Sequence, residues 1–245
     1  NINPLGVPES FKKAIIENFD ILEKYPDPDY IELRENIGRY NKVDVKNIIA
    51  GNGATEILFL YMKAMQPKKT LIVSPSFAEY KRALESVGSE IIYYPLLEEN
   101  NYNLDIENFL KEVPQCDLVV ICNPNNPTGS FISLENIKKI NDVLSERGIK
   151  LFVDEAFIEF IRGWEKMTSV LLKDKNIFIM RALTKFFAVP GVRLGYGITY
   201  DEEIMKKMEK YKEPWSVNSF ADIAGKIMLW DKEYIEATEN WIEEE

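Results

Sequence analysis

The sequence runs to 245 residues, 46% hydrophobic and 12% aromatic, enough apolar side chain to bury a sizeable core and to exclude disorder as the default state. A formal charge of -10, from 40 acidic and 30 basic residues, excludes a general field that would draw nucleic acid or an anionic membrane. Histidine is absent, so imidazole is excluded as general base, as metal ligand and as activator of a serine or cysteine nucleophile, and no metal site is expected.

After an extended opening, NINPLG, the run SFKKAIIENF carries apolar residues at helical spacing. The turn-forming YPDPD separates it from a second amphipathic run, YIELRENIGRY. From residue 47 onward, short β-branched runs alternate with helical patterns, the signature of βαβ units and an α/β fold with a mainly parallel sheet between helices. Strands are predicted at NIIA, TLIV, EIIYY, DLVVI, IKLFV, NIFIM and LGYGIT, and helices between them at ATEILFLYMKAM, FAEYKRALESV and SLENIKKINDVLSERG. The last helix starts with Ser133 as its cap, repeats apolar residues at Leu134, Ile137, Ile140 and Leu144, and stops at Gly148, which describes a surface helix covering a sheet. LGYGIT follows NIFIM after a loop too short for a helical crossover, so one antiparallel strand is expected there. The helical pattern around ADIAGKIMLW continues into DKEYIEATENWIEEE, and this uncapped end, with the abrupt start at Asn1, reads as that of a fragment.

Cys116 and Cys122 lie beside or inside the apolar DLVVIC, where buried reduced thiols fit better than a disulfide or a metal site and suit a reducing cytoplasm. No apolar stretch of about 18 residues spans a bilayer, and no charged start leads into an apolar signal core, so a soluble protein with no membrane partner is expected.

In open α/β sheets, ligands collect beyond the carboxyl ends of the strands. There the sequence places GNGATE after NIIA, SPSF after TLIV, NPNNPTG after DLVVIC, DEAF after IKLFV, and RALTKFFAVPGVR after NIFIM. GNGATE opens a helix, so the backbone N–H groups of Gly53, Ala54 and Thr55 can cradle a phosphate at its positive end; a glycine turn needed only for its positive φ is the bland alternative. Asn126 can donate a hydrogen bond into the crevice, or it belongs to a tight loop and nothing more. Asp154 is a carboxylate costly to bury unpaired, so either an ordinary salt bridge or a cationic ligand nitrogen should face it. Lys185, beside Thr184 and eight residues before Arg193, suits a Schiff-base lysine with an arginine fixing a phosphate, against the background that most lysines are simply solvated. Anion cradle, aromatic, asparagine, aspartate, lysine and arginine thus occur in order at strand ends. A phosphorylated, flat, cationic-ring aldehyde answers all of them.

NPNNPTG, DEAF and LTKFFAVPGVRLGYG resemble the aspartate-aminotransferase superfamily of fold-type-I pyridoxal-phosphate enzymes, over essentially the whole chain. Within it, the chain is similar to the branch that holds histidinol-phosphate aminotransferases and threonine-phosphate decarboxylases. The resemblance implies a cofactor-binding large domain over 26–230, an N-terminal arm and helix over 1–25, and over 231–245 the start of a helix leading to an absent C-terminal small domain. It implies pyridoxal 5'-phosphate as cofactor, with Lys185 holding it covalently, Asp154 pairing with the pyridinium nitrogen, Asn126 contacting the ring hydroxyl and Phe77 stacking on the ring. Phosphate would be held at the Gly53 turn by Ala54, Thr55, Thr184 and Arg193, with Tyr25 reaching in from the other subunit of a homodimer. Two positions depart from the family pattern. Phe157 replaces the tyrosine that many aminotransferases carry three residues after the aspartate, and Ala182 replaces a frequent hydroxyl residue three before the lysine.

Phe157, with NINPLG, KYPDPDY, SPSFAEY, DEAFIEF and PWSVNSFADIAG, looks closer to the decarboxylases than to the aminotransferases. That likeness implies a phosphorylated amino-acid substrate: L-threonine O-3-phosphate converted to (R)-1-amino-2-propanol O-2-phosphate in cobalamin biosynthesis. An aminotransferase acting on histidinol phosphate is the alternative. A non-catalytic binding module is third, and the intact Lys185, Asp154, Asn126 and Arg193 argue against it. The family's substrate-carboxylate arginine is expected beyond Glu245. Trp215 and Asn218 are candidates for shaping the substrate pocket, beside plainer roles as a buried tryptophan and a helix cap.

Overall fold

Short runs of β-branched and aliphatic residues become the strands β1 (Ile48–Asn52), β2 (Lys69–Ser74), β3 (Glu90–Pro95), β4 (Leu118–Cys122), β5 (Lys150–Asp154), β6 (Ile177–Ala182) and β7 (Leu194–Thr199). In this computed structural model, which describes residues 2–244, they form one sheet in the order β1-β7-β6-β5-β4-β2-β3. The expectations attached to the ends at Asn1 and Glu245 lie outside the described residues. All neighbours are parallel except β7, which runs antiparallel to both β1 and β6, as its short connection requires.

Ten α-helices accompany the sheet among the described residues. The first six are α1 (Glu9–Glu17), α2 (Ile31–Asn41), α3 (Gly53–Met65), α4 (Glu79–Glu85), α5 (Ile106–Glu112) and α6 (Leu134–Glu146). The rest are α7 (Leu183–Phe186), α8 (Glu202–Tyr211), α9 (Ser219–Ile227) and α10 (Lys232–Glu244). Ser133 caps α6 by accepting from Asn136 N.

Alternation along the strands sends successive side chains to opposite faces, and both faces are covered. Val119, Ile121, Leu151, Val153 and Ile179 join a core with residues of α1, α2, α5, α6 and α9. Val120, Phe152, Phe178 and Met180 join a second core with α3, α4 and α8. The same alternation fixes the strand ends: Asp154 and Met180 belong to the α3/α4 side, whereas Arg181 points to the other.

The long helical pattern at the end of the chain is interrupted. After α9, a 3-10 turn at Met228–Trp230 leads to Asp231, which accepts from Tyr234 N at 3.0 Å and from the Ser10 hydroxyl. Asp231 therefore starts a new helix instead of continuing the old one. The first turns of α10 return to the sheet, where the Tyr234 hydroxyl donates to the Phe186 carbonyl and the Tyr234 ring stacks on Phe187.

Candidate active site

The carboxyl ends of β1, β2, β4, β5 and β6 open on the same edge of the sheet, and the segments leaving them enclose a cavity of about 200 Å³. Ala54, Thr55, Phe77, Asn126, Asp154, Thr184, Lys185 and Arg193 all line it. Eight of the ten candidate residues are thereby brought together from five separate strand ends.

Gly53 stands immediately behind this lining. Its φ of +76° is one that L side chains rarely adopt, and an added Cβ would lie 2.4 Å from the Arg193 guanidinium. Glycine at that position lets the arginine rest against the first turn of α3. That turn has no side-chain cap from Asn52, so its leading N–H groups are left for a ligand, while Glu56 turns back to accept from Asn52 N at 2.5 Å. Arg193, itself in the left-handed region at φ 62°, is steadied by donating to the Pro190 carbonyl at 3.1 Å. Helix amides, a guanidinium and the buried Thr184 form a donor set for an anion.

Asp154 is 3% exposed and makes no ion pair among the described residues. Its Oδ1 accepts from Ala156 N at 2.9 Å and its Oδ2 from the Tyr80 hydroxyl at 2.5 Å. Burial pushes its carboxyl up to about 6, against the pull of the Tyr80 and Ala156 donors and the more distant Lys185 charge. A buried carboxylate that lines a cavity without a cationic partner suits a ligand bearing a positively charged N–H. Lys185 is half-buried, and its Nζ lies 5.9 Å from the Phe157 ring centroid with no ion pair among the described residues. Phe77 meets Tyr80 edge-on at 5.7 Å and offers the cavity an aromatic surface that needs no polar partner. Anion cradle, aromatic wall, buried carboxylate and amine together fit pyridoxal 5'-phosphate.

Tyr25 lies outside this cavity, 82% exposed and packed at 5.1 Å against the Trp215 ring. Trp215 is 48% exposed, so it is not the buried tryptophan of the plainer reading, and it is not among the residues lining this cavity. Asn218 is a helix cap, accepting from Ala221 N at 2.9 Å. A second, apolar cavity of about 370 Å³ adjoins the first through Asn126 and Phe157 and is walled by Ile2, Phe160, Ile161 and Trp241.

Two features escaped the sequence reading. Tyr80, in the SPSFAEY segment, is fully buried against Asp154 although 74 residues separate them. Behind the site, Arg181 is fully buried with Glu155, donating to its Oε2 at 3.1 and 2.9 Å, and reaches Glu159 at 3.4 Å and the Thr168 hydroxyl at 2.6 Å. The available signal was Arg181 inside an otherwise apolar strand, with Glu155 directly after another and Glu159 in the 3-10 turn that follows it.

A family model for class I and II aminotransferases matches residues 1–244. The chain is 40% identical over 245 residues to the threonine-phosphate decarboxylase of Salmonella typhimurium, covering all of this chain and 67% of that protein. It is 34% identical to a histidinol-phosphate aminotransferase of Desulfitobacterium hafniense, covering 96% of this chain and 66% of the relative. Among solved structures, the histidinol-phosphate aminotransferase of Clostridium acetobutylicum superposes with a TM-score of 0.91 at 40% identity, over 100% of this chain and 72% of that one. The chain therefore spans about two thirds of the length of the curated relatives it matches.

Proposed function

The chain belongs to the class I and II aminotransferase family of pyridoxal 5'-phosphate enzymes, and on that premise we propose that its protein decarboxylates L-threonine O-3-phosphate to (R)-1-amino-2-propanol O-2-phosphate, a precursor in cobalamin biosynthesis. The observation that carries this reading is 40% identity to a threonine-phosphate decarboxylase along the entire chain. Phe157 in place of the family's frequent tyrosine supports it.

When bound, the cofactor supplies an electron sink for the pair left on Cα as the carboxylate departs. The chain's residues take the following parts. Gly53, Ala54, Thr55, Thr184 and Arg193 hold the phosphate at the positive end of α3. Phe77 packs on the ring, and Asn126 meets its hydroxyl. Asp154, ionised, keeps the ring nitrogen protonated. Lys185 Nζ would hold the cofactor covalently and, as a free amine, would return a proton to Cα in place of the departed carboxylate. Tyr25 of a second copy completes the phosphate site in a homodimer.

A second reading, amino transfer from histidinol phosphate, is favoured by the 40% identity to the Clostridium acetobutylicum structure. Stoichiometry separates the two. Threonine phosphate supplied without any 2-oxo-acid acceptor should release carbon dioxide over many turnovers. Turnover that appears only with histidinol phosphate and 2-oxoglutarate would replace the first reading with the second.

A further inference from the structure

We propose that Tyr80 is a positioning residue for Asp154: its hydroxyl clamps one carboxylate oxygen, keeps the group ionised and leaves its remaining lone pairs to the cavity. The proposal rests on the reading that Asp154 faces the cofactor's ring nitrogen.

A phenol in this place needs a reason. Tyr80 belongs to the core between the sheet and α3, α4 and α8, among Ala83, Leu84, Leu118 and Val120, where a phenylalanine would fill the same volume without a polar atom to satisfy. Its hydroxyl donates to Asp154 Oδ2 at 2.5 Å, a length typical of a hydroxyl donating to an ionised carboxylate, with the Cys122 thiol as a second neighbour in hydrogen-bond reach. Ala156 N takes the other oxygen at 2.9 Å. Each oxygen thus has one fixed donor, and the carboxylate plane cannot rotate without losing both. Burial and the neighbouring carboxylate hold the Tyr80 phenol well above its ordinary value, so it stays a donor wherever Asp154 is charged.

The other groups around Asp154 do not offer the same support. Cys122 at the end of β4 opposes ionisation if it loses its own proton, and its thiol donates to the Pro124 carbonyl at 3.3 Å. Glu155, next in the chain, disfavours the charge but is paired with Arg181. Lys185, from the β6–α7 segment, favours it. Yet Lys185 is the amine assigned to hold the cofactor, and once it does so its free ammonium is gone. Tyr80 and Ala156 N are then the fixed donors to Asp154.

Tyr80→Phe removes the hydroxyl and keeps the ring that meets Phe77 edge-on. In the cofactor-free protein, the infrared carbonyl band of protonated Asp154, assigned by its loss in Asp154→Asn, should titrate about one to two pH units higher in Tyr80→Phe than in wild type. Difluorotyrosine at position 80, a stronger donor of nearly the same shape, should move the midpoint downward, a readout that stands if the phenylalanine variant folds poorly. Pyridoxal phosphate affinity in Tyr80→Phe should fall about ten-fold or more at pH 7 and recover as pH rises. An Asp154 midpoint that moves with neither substitution would overturn the proposal, leaving Tyr80 a packing residue. Affinity and spectrum unchanged in Asp154→Asn would instead sink the reading of Asp154, while the cofactor-free titration still decides the Tyr80 coupling.

Discussion

Glu155, Glu159 and Arg181 place two carboxylates around one guanidinium in the interior, and the Oε2 of Glu159 has no hydrogen-bond partner among the described residues. Burial pushes Glu159 up to about 7, only partly countered by Arg181. A carboxyl that binds its proton more tightly folded than unfolded contributes stability that is fully present below about pH 4.5, its ordinary value, and is lost as pH rises through about 7. Glu159→Gln keeps an acceptor for Arg181 and carries no charge. Thermal melts should therefore show the variant gaining on wild type between pH 5 and pH 8. An identical difference at both pH values would mean that Glu159 does not titrate with folding in this range. Legibility at this scale followed sequence distance. Asp154, Asn126 and Lys185 stood out because each ends or closely follows an apolar strand, where a polar residue is conspicuous, and Arg193 because it lies in the Gly- and Pro-containing loop after Lys185. Tyr80 did not, since its role exists only through a contact 74 residues away, and Arg181 was hidden because its partner Glu155 lies 26 residues upstream.

Between elements, the closest approach that bears on the site is β7 against α3. An added Cβ on Gly195 would lie 2.2 Å from Ala54 N, so the strand touches the backbone that forms the anion cradle. Gly195→Ala must push α3 outward, and because the obstacle is backbone, a loss near the upper end of about 1–3 kcal/mol is expected. Inorganic phosphate affinity, measured by calorimetry, should fall with it. Gly191→Ala, where nothing lies within 4 Å of the added Cβ, is the control and should change neither. Equal behaviour of the two variants would show that β7 does not brace the cradle. All seven strands were readable because hydrophobic runs bounded by turns and helices carry the signal directly. Three helices were not placed: α7 is a single turn of four residues, α8 hides a sparse stripe of Ile204, Met205 and Met208 among charges, and α5 has Phe109 as its one fully buried residue. The break at Asp231 was missed because helical periodicity resumes at once on the far side, and the Ser10 contact that helps hold Asp231 comes from the other end of the chain.

For the molecule as a whole, the exposed Ile16, Phe19, Leu22 and Tyr25 fall within one short stretch, with Trp215 packed beside Tyr25. An apolar surface that carries the tyrosine proposed for a neighbouring phosphate site fits a homodimer. Sedimentation should show two chains per particle, and a monomer with full cofactor affinity would remove Tyr25 from the site. The cofactor's attachment point reaches the central claim most directly. The protein loaded with pyridoxal phosphate is reduced with borohydride, digested and mapped by mass spectrometry. The pyridoxyl group should sit on Lys185 and on no other lysine, and Lys185→Ala should fold but carry none. A pyridoxyl group on a different lysine, or one retained by Lys185→Ala, would contradict the site built here around the ends of β1, β2, β4, β5 and β6.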